Sequence, residues 1–123
     1  PWKFIAMHRP PYSSPPDASD GLRDAIAGVA EKSGVSMVFS GHFHAYDRSY
    51  PLLGGKQAKD GVVYLVSGGA GATLDEVERS DYTAKAEAIY HLVILDISPE
   101  RIRGTAKAAD GSIIDEFIVA RRH

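Results

Sequence analysis

The sequence predicts an α/β chain, with α+β character in its second half: a parallel βαβ unit that feeds a mixed sheet and ends in a C-terminal β-meander. Two observations carry this. An apolar run at residues 2–7, an amphipathic stretch reaching Lys32 and a second apolar run at 35–39 follow one another as strand, helix, strand. In one sheet that order gives a parallel pair joined by a right-handed crossover. The last third then holds three strand-like runs, 89–97, 101–107 and 112–120, with Asp110-Gly111 as the hairpin turn between the last two. There is no internal repeat, low-complexity tract or linker, so residues 1–123 read as a single domain.

Each element has its own signal. Trp2-Lys3-Phe4-Ile5-Ala6-Met7 reads as a short buried strand that stops at His8. Residues 9–17 hold four prolines and form a stiff loop, since proline fixes φ and lacks an amide donor. Ser19 or Asp20 caps a helix running to about Lys32. Leu22, Ile26, Val29 and Ala30 give it one apolar stripe, and Gly34 stops it. A second buried strand, 35–39, ends at Ser40-Gly41. Residues 41–60 look irregular, 62–66 form a third strand leading into Ser67-Gly68-Gly69-Ala70-Gly71, and 73–87 read as loop with one helical turn.

Composition narrows the partners. A net charge of −2 gives no reason to expect nucleic acid or an acidic membrane surface. No run of 18 or more apolar residues exists, so no membrane-spanning helix is expected. The absence of cysteine excludes disulfides and thiolate metal sites, and a soluble protein, exported to the periplasm or the medium or not, fits this composition. A chain that starts at Pro1 and enters an apolar strand at once reads as the later fragment of a longer domain.

The chemistry gathers at strand ends. Side chains at the carboxyl ends of parallel strands converge on a crevice beyond the sheet edge. The first strand ends in Met7-His8 and the second in Ser40-Gly41-His42-Phe43-His44. If the two strands are neighbours, three imidazoles meet at one edge. Gly41 is expected to supply the sharp turn there. The spacing of His42 and His44 lets one segment serve two adjacent metals or offer two ligands to one, and neutral imidazole suits zinc, iron and manganese.

These motifs resemble a known family. Met7-His8-Arg9-Pro10-Pro11-Tyr12-Ser13-Ser14 resembles the His-x-Pro-x-Tyr-Ser segment of calcineurin-like metallophosphoesterases of the purple-acid-phosphatase type. Gly41-His42-Phe43-His44-Ala45-Tyr46-Asp47-Arg48 is similar to their Gly-His-x-His-x-Tyr-Glu-Arg segment, with Asp47 in place of Glu. The strand and glycine turn at 63–71 and the closing hairpin at 110–117 resemble theirs in the same order. The resemblance implies the C-terminal part of a four-layer α/β/β/α sandwich that hydrolyses phosphate esters at a binuclear centre of iron, zinc or manganese. It implies His8 and His42 as ligands of the second metal and His44 of the first. The family's Asp, Gly-Asp and Gly-Asn ligand segments have no counterpart in these residues. The missing N-terminal half of the same domain is therefore an expected partner beside the phosphate ester. The isolated chain is expected to be inactive and to self-associate through uncovered strand edges.

Other residues carry open alternatives. Arg9 and Arg48 flank the ligands and either meet phosphate bidentately or form ordinary ion pairs. Tyr12 and Tyr46 either pack or hydrogen-bond substrate. Asp47 either orients a ligand imidazole or stabilises its loop. The glycine run either cradles phosphate or only turns the chain. His91 reads as a satisfied core histidine, and His123 as irrelevant to function. A different metallohydrolase is the competing enzyme class. However, 42–48 fails the His-x-His-x-Asp-His spacing of metallo-β-lactamase-like enzymes, and amidohydrolase barrels place His-x-His near the start of a long barrel. The competing non-enzymatic reading is a non-catalytic fragment with an incomplete metal site.

Overall fold

The computed structural model describes residues 1–14 and 20–121. The chain forms β1 (Phe4–Met7), α1 (Asp20–Lys32), β2 (Met37–Ser40), β3 (Tyr46–Ser49), β4 (Leu52–Leu53), β5 (Lys56–Gln57), β6 (Val63–Ser67), β7 (Thr83–Glu87), β8 (His91–Ile97), β9 (Arg101–Ala108) and β10 (Ile113–Ala120). Five strands make a mixed sheet in the order β1-β2-β6-β3-β7. β1, β2 and β6 run parallel, and β3 is antiparallel to both β6 and β7. β8, β9 and β10 form the antiparallel meander. None of the described helices is long and apolar enough to cross a membrane.

The period-2 alternation of the central strands builds two cores, one on each face of the mixed sheet. Val38 and Tyr64 point to the helix side, where they pack with Ala27, Ala30, Val35, Leu52, Val62 and Tyr12. Met37, Tyr46, Val63 and Leu65 point the other way, against Ile102, Ala106, Phe117 and Val119 of the meander. The described residues thus give helix, sheet and sheet layers. The outer face of the meander carries exposed Leu92, Ile94 and Ile118.

α1 ends where Gly34 was expected to stop it. Gly34 takes φ 71°. Its N–H donates to Glu31 O (3.4 Å) and the Val35 N–H donates to Ala30 O (3.0 Å), closing the helix with a left-handed residue. The helix's inner face differs from the expected stripe. Ala27 and Ala30 are buried, whereas Val29 is 57% exposed. Leu22 and Ile26 are half-buried. Ser19 lies outside the described residues, as do Pro15, Pro16, Asp17 and His123.

Three further expectations change. β1 is an edge strand, half exposed rather than buried, with Phe4 at 40%. The segment 41–60 is not wholly irregular, because it contains β3 inside the mixed sheet and the β4–β5 hairpin. Residues 73–87 contain no helical turn, and their end is β7. β3 escaped notice because Tyr46-Asp47-Arg48-Ser49 is polar. Its side chains are nevertheless buried because they meet specific partners.

The chief partner is Asp115 on β10. The Tyr46 hydroxyl donates to Asp115 Oδ2 (2.5 Å), and Arg48 donates Nε to Oδ2 (2.7 Å) and Nη2 to Oδ1 (3.2 Å). Burial first, and then the Asp115 bond, push the Tyr46 hydroxyl above its ordinary range, so it stays a donor. One carboxylate therefore joins the two sheets across their shared core. Asp115→Ala would leave a guanidinium and a phenol without their acceptor. With the Arg48 and Asp115 side chains only 17% and 9% exposed, it is predicted to destabilise the fold by about 3 kcal/mol, read from urea unfolding. A shift below about 1 kcal/mol, typical of exposed pairs, would contradict this.

Candidate metal centre

The parallel ladder delivers the first two histidines. Met7 is paired with Ser40 at the ends of β1 and β2, and the Gly41 N–H continues the ladder by donating to His8 O (3.0 Å). His8 Nε2 lies 3.2 Å from His42 Nδ1, with the rings edge to face at 5.0 Å between centroids. Both side chains are exposed.

The sharp turn falls on His42, not on Gly41. His42 has φ 66°, the sole positive φ of a non-glycine among the described residues. The Phe43 N–H donates back to Gly41 O (2.7 Å), which makes His42 the centre of a three-residue γ-turn of the rare, strained hand. A β-carbon in this region costs about 1–2 kcal/mol. Ala45 N–H donates to Phe43 O (3.0 Å), so His44 is the centre of a second three-residue turn. Each histidine of the motif thus projects from the apex of its own tight turn.

His44 is held by a segment that no sequence signal marked. Its Nδ1 lies 2.9 Å from Thr73 O, its N–H donates to Asp75 Oδ2 (2.9 Å), and the Asp75 N–H donates to His44 O (2.9 Å). Behind these turns, Gly68 lies so close that a Cβ there would overlap the Phe43 carbonyl. Gly68 is thus required for the close backbone approach to the histidine segment.

The donor set can be tested against a metal. Two nitrogens each about 2.0–2.1 Å from one ion at a tetrahedral angle lie about 3.3 Å apart. The separation of His8 Nε2 and His42 Nδ1, 3.2 Å, matches two ligands on one ion. Among the described residues no group of three or more metal-ligating side chains gathers, so the remaining donors of any such ion are not among them.

The other candidate residues lie at stated places. Arg9 is exposed beside His8. Tyr12 is buried, with its ring 4.7 Å from that of Tyr64 and 5.0 Å from that of Tyr82, and the Arg23 guanidinium stacks on it at 4.3 Å. Tyr46 and Arg48 are bound to Asp115, so the ion-pair alternative describes Arg48. His91 is buried, with Nε2 2.9 Å from Ser67 Oγ and Nδ1 2.8 Å from Ile89 O, as a satisfied core histidine should be. The proline loop behind His8 is clamped. Arg23 donates Nε to Pro11 O (2.8 Å), and the Tyr82 hydroxyl donates to Ser13 O (2.5 Å).

Asp47 is the buried carboxyl that follows the histidine motif. It is 3% exposed, accepts a hydrogen bond from the Ser14 backbone and has no partner at Oδ2 among the described residues. Burial pushes its carboxyl up to about 7, against the lowering influence of the Ser14 bond and Arg79.

No family model matches the chain. It is 43% identical over 53 residues to an acid phosphatase of Aspergillus ficuum, which spans 42% of this chain and 9% of that protein. It is 31% identical over 74 residues to purple acid phosphatase 21 of Arabidopsis thaliana, spanning 58% and 17%. The chain thus matches less than a fifth of the length of either relative. Its whole length superposes on 25% of a purple acid phosphatase from yellow lupin (Lupinus luteus) seeds, with TM-score 0.82 and 22% identity. It also superposes on GAP50, the anchor in the inner membrane complex of Plasmodium, with TM-score 0.78 and 14% identity, over 98% of this chain and 37% of that one.

The raised carboxyl of Asp47 makes a pH prediction. The folded state keeps its proton up to about 7, where the unfolded chain, with the ordinary 3.8, has released it. Stability must therefore fall as pH rises from about 4 to about 7 and then level off. Asp47→Asn removes the ionisation and keeps an oxygen for Ser14. It is predicted to raise the urea midpoint at about pH 8 and leave it near the parent value at about pH 4. Equal shifts at both pH values would contradict the assignment.

Proposed function

We propose that this purple-acid-phosphatase-like chain supplies the histidine ligands of a binuclear centre that hydrolyses phosphate esters, with His8 and His42 on one ion and His44 on the other. The observation that carries the reading is the convergence of His8 Nε2 and His42 Nδ1 to a ligand-like separation of 3.2 Å, from two strands linked through a helix. The strained turn at His42 supports it, since backbone strain persists where the surrounding structure imposes it and clusters at functional sites.

When bound, the two ions (iron, zinc or manganese) supply Lewis acidity to the phosphoryl oxygens and a water activated at neutral pH. The chain's own part is to present lone pairs. A backbone carbonyl only accepts, so Thr73 O holds the proton of His44 on Nδ1 and leaves Nε2 as the donor atom. For His8 and His42 to ligate through the two facing nitrogens, His8 must carry its proton on Nδ1 and His42 on Nε2. The remaining ligands, carboxylates among them, belong to the preceding half of the same domain. The edge strand β1 and the exposed Leu92, Ile94 and Ile118 of the meander fit that half.

A second reading is a non-catalytic, anchor-like chain, since the same fold is shared with GAP50, the anchor in the inner membrane complex of Plasmodium. Substitution separates the two. In the full-length protein, His8→Ala, His42→Gly and His44→Ala are each predicted to lower hydrolysis of p-nitrophenyl phosphate by more than about 100-fold and to reduce bound metal. His42→Gly also relieves the positive φ, so it is predicted to stabilise the fold by about 1 kcal/mol while abolishing activity. No phosphatase activity in the parent protein would leave the anchor-like reading, whereas activity unchanged in all three variants would contradict the assignment of the three histidines as ligands.

A further inference from the structure

We propose that Asp75 is the positioning residue of His44, locking its backbone and, with Thr73, selecting the tautomer that ligates through Nε2. The inference rests on the two-metal reading above and assigns a role to a residue that lies 31 positions from the histidine it serves.

Both main-chain polar groups of His44 are bonded to Asp75. The His44 N–H donates to the Asp75 carboxylate and its C=O accepts from the Asp75 N–H, each at 2.9 Å. This closed pair prevents the peptide flanking the ring from rotating without loss of a hydrogen bond. The third bond, from Nδ1 to Thr73 O at 2.9 Å, then sets the ring. The same Asp75 oxygen stands 3.9 Å from Nδ1. Local turn geometry does not require any of this, because 73–75 follows the glycine run and returns to His44 from a distant part of the chain. A ligating imidazole whose second nitrogen donates to a fixed acceptor is held in orientation and made more basic. Thr73 contributes only a carbonyl, which no side-chain substitution removes, so Asp75 is where the arrangement can be broken. The Asp75 side chain is 49% exposed, which makes its removal a small perturbation of the core.

The test uses the full-length protein with ¹⁵N-labelled histidine. In the metal-free state, long-range ¹⁵N–¹H correlations report which ring nitrogen of His44 carries the proton. The parent is expected to show Nδ1–H alone. Asp75→Ala is expected to give mixed tautomers and to weaken Zn²⁺ binding by about 10–100-fold, while Asp75→Asn, which keeps an oxygen for the His44 N–H, retains most of both properties. Should Asp75→Ala fail to fold, Asp75→Glu, which moves the carboxylate one methylene outward, takes its place with the same readouts. Asp75→Ala leaving tautomer and Zn²⁺ affinity unchanged, while His44→Ala lowers the affinity, overturns the positioning role alone. His44→Ala leaving the affinity unchanged overturns the metal reading on which it rests.

Discussion

The parallel pairing of β1 with β2 is the constraint on which the candidate centre depends. Side chains alternate with a period of two along a strand, so a slip of one residue would turn His8 to the opposite side of the sheet edge. The register of Met7 with Ser40 and the bond from Gly41 to His8 prevent that slip. β1 is an edge strand four residues long, which alone would hold weakly. It is reinforced at its start, where Ser36 donates to Lys3 O (2.9 Å) and Trp2 Nε1 donates to Ser98 O (2.7 Å) in the turn between β8 and β9. The indole bond ties the edge to the meander, so both sheets contribute to the placement of His8.

Beyond the strands, the centre is positioned by polar contacts over long sequence distances. Pro10 to Ser14 are all buried although they lie in a loop. Their backbone groups are claimed by Arg23 from the helix, Tyr82 from the stretch before β7 and Asp47 from β3. Asp115 does the equivalent for the two sheets. Buried polar groups of this kind are favourable only while every partner is present, because an orphaned donor or charge has lost its hydration. The Asp47 oxygen that has no partner among the described residues is an exception, and a raised carboxyl pKa is the physical response: the group stays neutral where an ion could not be solvated.

This dependence explains how much was legible in the sequence. β1, α1, β2, β6 and the meander announce themselves by apolar runs, one helical stripe and a turn dipeptide, and the two histidine motifs stand where such runs stop. β3 was illegible because its residues are buried through partners 67 to 69 positions away, which no local pattern encodes. The turn at 41–44 was misplaced by one residue, since propensity favours glycine for a left-handed φ and the structure imposes it on His42. Tyr12, Tyr46 and Arg48 flank the ligands in sequence, and which of their open alternatives holds depends on distant partners: Tyr12 packs with Tyr64 and Tyr82, and Tyr46 and Arg48, on one face of β3, bond Asp115. The hold of 73–75 on His44 had no sequence signal, because it uses mostly backbone atoms.

The central claim is that His8 and His42 share one ion while His44 serves another. Anomalous scattering from crystals of the full-length protein grown with Zn²⁺ tests it most directly. The account predicts one peak within about 2.0–2.2 Å of both His8 Nε2 and His42 Nδ1, and a second at His44 Nε2 about 3.5–4 Å from the first. An ion held jointly by His42 and His44 with His8 turned away, or no ion at any of the three, would contradict it.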